Sequence, residues 1–264
     1  MNGPIRMVEL FAGIGSQAMA LRRLGIPYTS TVCEIDAKAY ASYCAIHGET
    51  PNLGDIAQVE HLPDCDLLTY SFPCQDLSVA GLGKGMERGS GTRSSLLWEV
   101  GRLLDDAADR EALPEVLLME NVDAILNRKN ISAFMEWVAK LRTMGYTNSW
   151  QVMNAKDHGV PQSRKRCFMV STLHMGRFVF PEGVPLTRCL RDVLEDDVDE
   201  SFYLSEERIA KYQRHRERDG KGTSEIIVTG KEDRPQSAQG CARRDGGQGQ
   251  VPRHHRQHRT DHPS

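Results

Sequence analysis

The run Arg6-Met7-Val8-Glu9-Leu10-Phe11-Ala12-Gly13-Ile14-Gly15-Ser16 decides the architecture. Residues 6–10 read as a short buried strand and residues 11–15 as a tight turn. Residues 16–24 follow as a helix, with Ala18, Leu21 and Leu24 at helical spacing and Gly25 as its stop. A strand that opens through glycines into a helix begins a βαβ unit, and glycine lets the backbone approach a ligand closely. A purely structural tight turn accounts for the two glycines equally well. The dinucleotide pattern GxGxxG is not met, since Ala18 holds the place of its third glycine and the turn starts on an aromatic. A dehydrogenase is therefore disfavoured.

Working outward, the same alternation repeats. Residues 29–33 form a second strand ending at Glu34, with a helix over 37–47. Residues 66–70 form an apolar strand that runs into Ser71-Phe72-Pro73-Cys74-Gln75, and residues 116–119 form a strand ending at Glu120. Residues 131–144 are amphipathic, with Phe134, Trp137, Val138 and Leu141 on one face. Strands at 149–154 and 167–171 flank a loop around Gln162. Repeated strand–helix alternation predicts a doubly wound, mainly parallel α/β sheet with helices on both faces. Ligands of such sheets lie beyond the C-terminal ends of the strands. Glu9, Glu34, Cys74 and Glu120 each fall at or just after a strand end, so the reading sends all four to one edge.

Composition narrows the function classes. Hydrophobic residues make up 39% of the 264, low enough that part of the chain is expected to lie outside the core. No stretch of about 20 apolar residues is present and the first residues carry no secretion signal, so a cytoplasmic protein is expected. The seven cysteines are scattered, with no CxxC pair, which argues against a disulfide scaffold or a metal site. Residues 1–200 carry a net −7 and residues 201–264 a net +4, a basic bias compatible with a polyanion or simply with a solvated surface.

Five elements carry the chemistry. The glycine turn is the first. Glu34, 19 residues beyond Gly15, is placed to accept from both ribose hydroxyls of a nucleoside, and Asp55 to accept from an adenine amino group. Cys74 follows a strand end and a proline, and residues 75–91 are rich in Gly, Ser and charge. A cysteine in a surface loop of that kind is less readily explained as packing, and a thiolate there is a nucleophile. Glu120-Asn121-Val122 puts a carboxyl at the mouth of a buried strand, suited to proton donation to a ring nitrogen. Gln162-Ser163-Arg164-Lys165-Arg166 places two guanidinium forks, suited to phosphate or carbonyl oxygens, on one side of the chain.

In order and spacing these elements resemble the cytosine-C5 DNA methyltransferases of bacterial and phage type. Pro73-Cys74-Gln75, Glu120-Asn121-Val122 and Gln162-x-Arg164-x-Arg166 carry the likeness most strongly, with Phe11-Ala12-Gly13-x-Gly15 at the front. The run 91–97 resembles the helix start that follows the family's catalytic loop. The resemblance covers residues 6–185 and implies the Rossmann-like sheet of S-adenosylmethionine-dependent enzymes, with that cofactor and double-stranded DNA as partners. It implies Cys74, Glu120, Arg164 and Arg166 as the catalytic set. The cofactor would meet Phe11, Ala12, Gly13, Gly15, Glu34, Ile35, Asp55, Ile56, Pro73 and Leu96, and the substrate Gln75, Ser78, Asn121 and Gln162. No metal and no membrane are implied.

Past the arginine motif the chain departs from the family. The catalytic domain is expected over 1–185 and a partial target-recognition region over 186–240. A disordered tail is expected over 241–264, where only Cys241, Ala242 and Val251 are apolar. Neither of the family's late elements is found, and the sequence after Arg234 reads as a truncated or out-of-frame end. A second chain supplying the missing parts is one expectation. An inactive fragment that binds cofactor or DNA, or an RNA cytosine-5 methyltransferase of the same fold, are alternatives.

Overall fold

The computed structural model describes residues 3–73, 96–195 and 197–218. Cys74, Gln75, Ser78, the loop 75–91 and the tail 241–264 lie outside the described residues. The chain divides into two compact units, Met1–Arg188 and Cys189–Ser264.

The first unit holds a six-stranded sheet in the order β2-β1-β3-β4-β6-β5. β1 (Ile5–Leu10) pairs in parallel with β2 (Tyr28–Cys33) and with β3 (Leu67–Tyr70), and β3 pairs in parallel with β4 (Val116–Val122). β6 (Lys165–Thr172) runs antiparallel between β4 and β5 (Thr147–Asn154). The sheet is thus mainly parallel, as the alternation predicts, with one reversed strand. β1 is short and mostly apolar because both of its faces are covered: Met7, Val8 and Leu10 are each at most 2% exposed.

Helix α1 (Ser16–Arg23) and helix α2 (Ala37–His47) follow β1 and β2. Their side holds a small core of Met7, Ala12, Ala18, Val32 and Tyr43. The larger core is built around α3 (Leu97–Asp109) and α4 (Ile131–Thr143), where Leu103, Leu104, Phe134, Trp137 and Leu141 are fully buried. Trp137 donates its indole N–H to the Tyr70 hydroxyl at 3.1 Å, tying α4 to β3. The motif reading marks α3 only at its start. Its apolar residues Leu97, Val100, Leu103, Leu104 and Ala107 nonetheless follow the helical repeat, and all five are buried.

The second unit contains short 3-10 turns at Leu190–Val193 and Glu200–Phe202, and α5 (Glu206–Arg218). Among the described residues no helix is long and apolar enough to cross a membrane.

Candidate active site

The turn after β1 is held open by backbone geometry. Phe11 has φ +58°, Gly13 +55° and Gly15 +75°. A left-handed non-glycine residue costs about 1–2 kcal/mol, and Phe11 is fixed in that state by its N–H bond to the Cys33 carbonyl at 2.8 Å. Three left-handed residues in five reverse the chain within one turn and turn the Gly13 N–H toward β2. There it donates to Glu34 Oε2 at 2.9 Å, while the other carboxylate oxygen accepts from the Asp36 N–H at 2.8 Å. A carboxylate has about four acceptor positions, so Glu34 keeps room for two more donors.

Asn52 fixes Glu34 from the far side. Its amide oxygen accepts from the Glu34 N–H and its amide nitrogen donates to the Glu34 carbonyl, both at 3.0 Å. Sequence reasoning missed Asn52, because nothing local marks a residue 18 positions away as its neighbour. Ile35 is 72% exposed beside Glu34. Asp55 caps the short turn Ile56–Gln58 through the Ala57 N–H at 3.0 Å. Ala12 and Ile56 have their side chains in the core, which leaves only their backbones for a ligand. Pro73 and Leu96 are half-buried, and Leu96 packs against the main core.

Glu9 corrects the sequence reading. It does not face the edge but is fully buried on the α1/α2 side. Its carboxylate accepts from the Tyr43 hydroxyl at 2.5 Å, the Ser30 hydroxyl at 3.1 Å and the Ala18 N–H at 3.3 Å. Burial pushes the carboxyl above the usual carboxylate range, and those three hydrogen bonds oppose the rise. Tyr43 in turn lies under the glycine turn, with its ring centroid 4.5 Å from that of His47, and His47 Nε2 is 3.1 Å from the Ile14 carbonyl.

The second half of the edge is formed by β4 and β6. Glu120 lies diagonally across from Arg166, because Val122 is registered with Arg166 and Glu120 with Phe168. The two side chains form an ion pair, Arg166 Nε to Glu120 Oε1, at 2.9 Å, each about one-fifth exposed. Since β6 is reversed, its first residues arrive where β4 ends. The expected flanking loop is shorter than the sequence reading has it, and Lys165 and Arg166 already belong to the strand. Arg164 is exposed, its N–H bonded to Asn154 Oδ1 at 2.9 Å, and Gln162 is exposed beside it.

Asn121 is 2% exposed. Its amide nitrogen donates to the Phe72 carbonyl at 3.0 Å and its amide oxygen accepts from the Val122 N–H at 2.9 Å. Each end of the amide thus has one partner within the protein. Ser71 Oγ also meets the Gln17 amide of α1, at 3.5 Å.

Three other cysteines are unsuited to nucleophilic work. Burial pushes the thiols of Cys33, Cys65 and Cys167 up to about 12, with neighbouring carboxylates adding to the rise. The described parts thus bring together Gly13 with Glu34, Glu120 with Arg166, and Asn121 with the segment that runs into Cys74.

The C-5 cytosine-specific DNA methylase family model matches residues 5–263, running past the 6–185 that the motifs cover. The type II methyltransferase M2.ScrFI of Lactococcus lactis subsp. cremoris is 33% identical over 263 residues, covering 78% of this chain and 72% of that protein. The orphan methyltransferase M.SssI of Spiroplasma monobiae is 50% identical over 145 residues, 54% of this chain and 37% of that one. Among solved structures, the S. pombe Dnmt2 methyltransferase aligns with a TM-score of 0.60 at 25% identity, over 80% of this chain and 66% of that one. The chain therefore spans between about a third and three quarters of these proteins.

Proposed function

Because the chain belongs to the C-5 cytosine-specific DNA methylase family, we propose that it transfers a methyl group from S-adenosylmethionine to C5 of cytosine in double-stranded DNA, with Cys74 as nucleophile. The observation that carries this reading is the Glu120–Arg166 pair at 2.9 Å, at the sheet edge where β3 also ends. A carboxyl and a guanidinium side by side match the two sides of a cytosine ring: N3 with its exocyclic amine, and O2.

The glycine turn fits the cofactor. A Cβ built on Gly13 would meet nothing within 4 Å, so the turn borders open space, with the Glu34 carboxylate alongside and Ile35 exposed next to it. Glu34 would hold the ribose hydroxyls on its two remaining acceptor positions, and Asp55 with Ile35 would meet the adenine. Phe11, Pro73, Leu96 and the backbones of Ala12, Gly15 and Ile56 complete that set. When bound, the cofactor supplies a methyl group activated by an adjacent sulfonium.

C5 of cytosine is a weak nucleophile. The Cys74 thiolate adds to C6, and the electron pair released into the ring makes C5 enamine-like. Glu120 hydrogen-bonds N3 and the amine and takes up the charge that develops there, while Arg166 holds O2. Arg164, exposed beside the pair, contacts a phosphate, and Gln75, Ser78 and Gln162 meet the substrate. Once C5 is methylated, its proton leaves and the carbon–sulfur bond breaks. The target base must leave the helix stack for C6 to be reached.

The test is incorporation of labelled methyl into cytosine-containing duplex DNA, with Cys74→Ser as control and tRNA as a parallel substrate. Label in duplex DNA that Cys74→Ser abolishes supports the reading. Label in tRNA alone transfers it to an RNA substrate. No label in either, alone or with a complementing chain, refutes it.

A further inference from the structure

On the outer side of β2, residues 51–53 run alongside the strand. The Val32 N–H donates to the Pro51 carbonyl at 2.9 Å and the Leu53 N–H to the Val32 carbonyl at 2.8 Å. Beyond that rung the side chain of Asn52 continues the pairing. Its amide nitrogen donates to the Glu34 carbonyl and its amide oxygen accepts from the Glu34 N–H, both at 3.0 Å, as a neighbouring peptide group would. The same oxygen accepts from the Gly54 N–H at 3.0 Å, closing a turn in which Gly54 takes φ +75°. One side chain is therefore bonded both to Glu34 and to the residue immediately before Asp55. The far end of the loop is anchored separately, since the carbonyls of Ile56 and Val59 accept from the Arg102 guanidinium of α3 at 3.1 and 2.8 Å.

We propose that Asn52 is a positioning residue for the cofactor, setting the span between the carboxylate of Glu34 on the ribose and that of Asp55 on the adenine. This rests on the reading of those two residues as cofactor contacts. Ribose and adenine are joined by a single glycosidic bond, so a nucleoside engages both carboxylates only when they stand the right distance apart. Asp55 follows Glu34 by 21 positions, with α2 between them, so no short stretch of chain fixes that distance. Asn52 ties the two together directly. Asn52→Ala removes all three of its bonds. Asn52→Ser keeps a hydroxyl for the Gly54 N–H, the weaker counterpart of the same turn, but lacks the amide that reaches both the N–H and the carbonyl of Glu34.

The experiment measures binding to the full chain by calorimetry, without turnover, for two ligands. One is S-adenosylhomocysteine and the other its 2′,3′-dideoxy analogue, which offers Glu34 no hydroxyl. Asn52→Ala and Asn52→Ser should each weaken S-adenosylhomocysteine about tenfold, within the span of coupling between neighbouring groups. The dideoxy analogue is anchored on the adenine side alone and can follow that loop, so it should lose about twofold or less. Because Asn52 is exposed, the Tm of the ligand-free chain should move by less than about 4 °C.

Equal losses for the two ligands overturn the inference, since a loosened fold or a direct contact of Asn52 with the adenine would act on both alike. Asn52→Ser binding as wild type does overturns it as well, because the turn at Gly54 would then suffice without the bridge to Glu34. If the wild-type chain binds neither ligand, the reading of the cofactor site fails and the role of Asn52 with it. A wild-type chain that binds S-adenosylhomocysteine, with Asn52 variants that bind it equally well, removes the inference alone and leaves the cofactor site standing.

Discussion

Replacing Gly15 with alanine should strike the fold, and replacing Gly13 should strike the ligand, although the two glycines stand two residues apart in one turn. Both have positive φ, so alanine costs about 1–2 kcal/mol at either, less about 0.4–1 kcal/mol recovered from a stiffer unfolded chain. Their surroundings differ. At Gly15 the new methyl would collide with the Tyr43 ring and lie 2.6 Å from His47 Nε2. Tyr43 cannot swing aside, since its hydroxyl is bonded to buried Glu9 and it is fully buried itself. Overpacking of this kind adds about 1–3 kcal/mol. The net loss is about 1–5 kcal/mol, or roughly 2–18 °C in Tm at about 2–4 °C per kcal/mol. At Gly13 the methyl meets nothing, so stability should change by less than about 1.5 kcal/mol. It would instead occupy the space beside Glu34, and cofactor affinity should fall at least about tenfold, equivalent to about 1.4 kcal/mol. Thermal unfolding and calorimetric titration with S-adenosylmethionine separate the two. Gly15→Ala combined with Tyr43→Ala should show a positive coupling of about 1–3 kcal/mol as the collision disappears. A Gly15→Ala protein as stable as Gly13→Ala, or a cycle without coupling, would refute the steric argument.

Further predictions concern buried polar groups and the ion pair. The folded-state affinity of Glu9 for its proton is raised by burial, so its contribution to stability is fully present below the unfolded carboxyl range and is lost as pH rises through the folded value. Glu9→Gln should therefore gain stability relative to wild type as pH rises from about 4.5. Urea unfolding at several pH values that shows a constant difference would contradict this. If Arg166 holds the base as proposed, Arg166→Ala should lower kcat about 10²–10³-fold while shifting Tm by less than about 4 °C, because the pair it leaves is partly exposed. A change confined to KM would count against the role given to Arg166. Trp137→Phe orphans the buried Tyr70 hydroxyl and should cost about 1–3 kcal/mol in urea denaturation with cofactor affinity unaltered.

How much of this was legible before the structure depended on whether the signal was local. β1, β2 and β4 are apolar runs that end in Glu or a glycine turn, and each is found within two or three residues of its expected bounds. Glu34 could be placed because the distance from a glycine turn to the next strand end is set by one βα unit. Glu120 and Arg166 could be suspected but not paired, because pairing depends on β6 running backwards beside β4, which neither residue encodes. Glu9 was sent to the ligand edge, whereas it is buried under α1 and α2. In a strand buried on both sides, alternation does not tell which side a polar residue takes, and its partners Ser30 and Tyr43 lie 21 and 34 residues away. The hydrogen bond from Asn121 to the Phe72 carbonyl was not legible either, because it spans 49 positions. The helix α3 carries a full helical repeat, and a window on residues 97–109 would have found it.

The reversed strand also imposes an order of assembly. β5 is made before β6, yet β6 is the strand that lies against β4. If β5 docked on β4 as soon as it was synthesised, it would occupy the place β6 needs. Pairing at β4 therefore waits for β6 itself, whether β5 is already against it or adds afterwards. Until it does, β4 is an unpaired edge and Glu120 has no guanidinium opposite it. The Glu120–Arg166 pair thus depends on residues that follow Glu120 by 46 positions, and it exists only where β6 lies against β4.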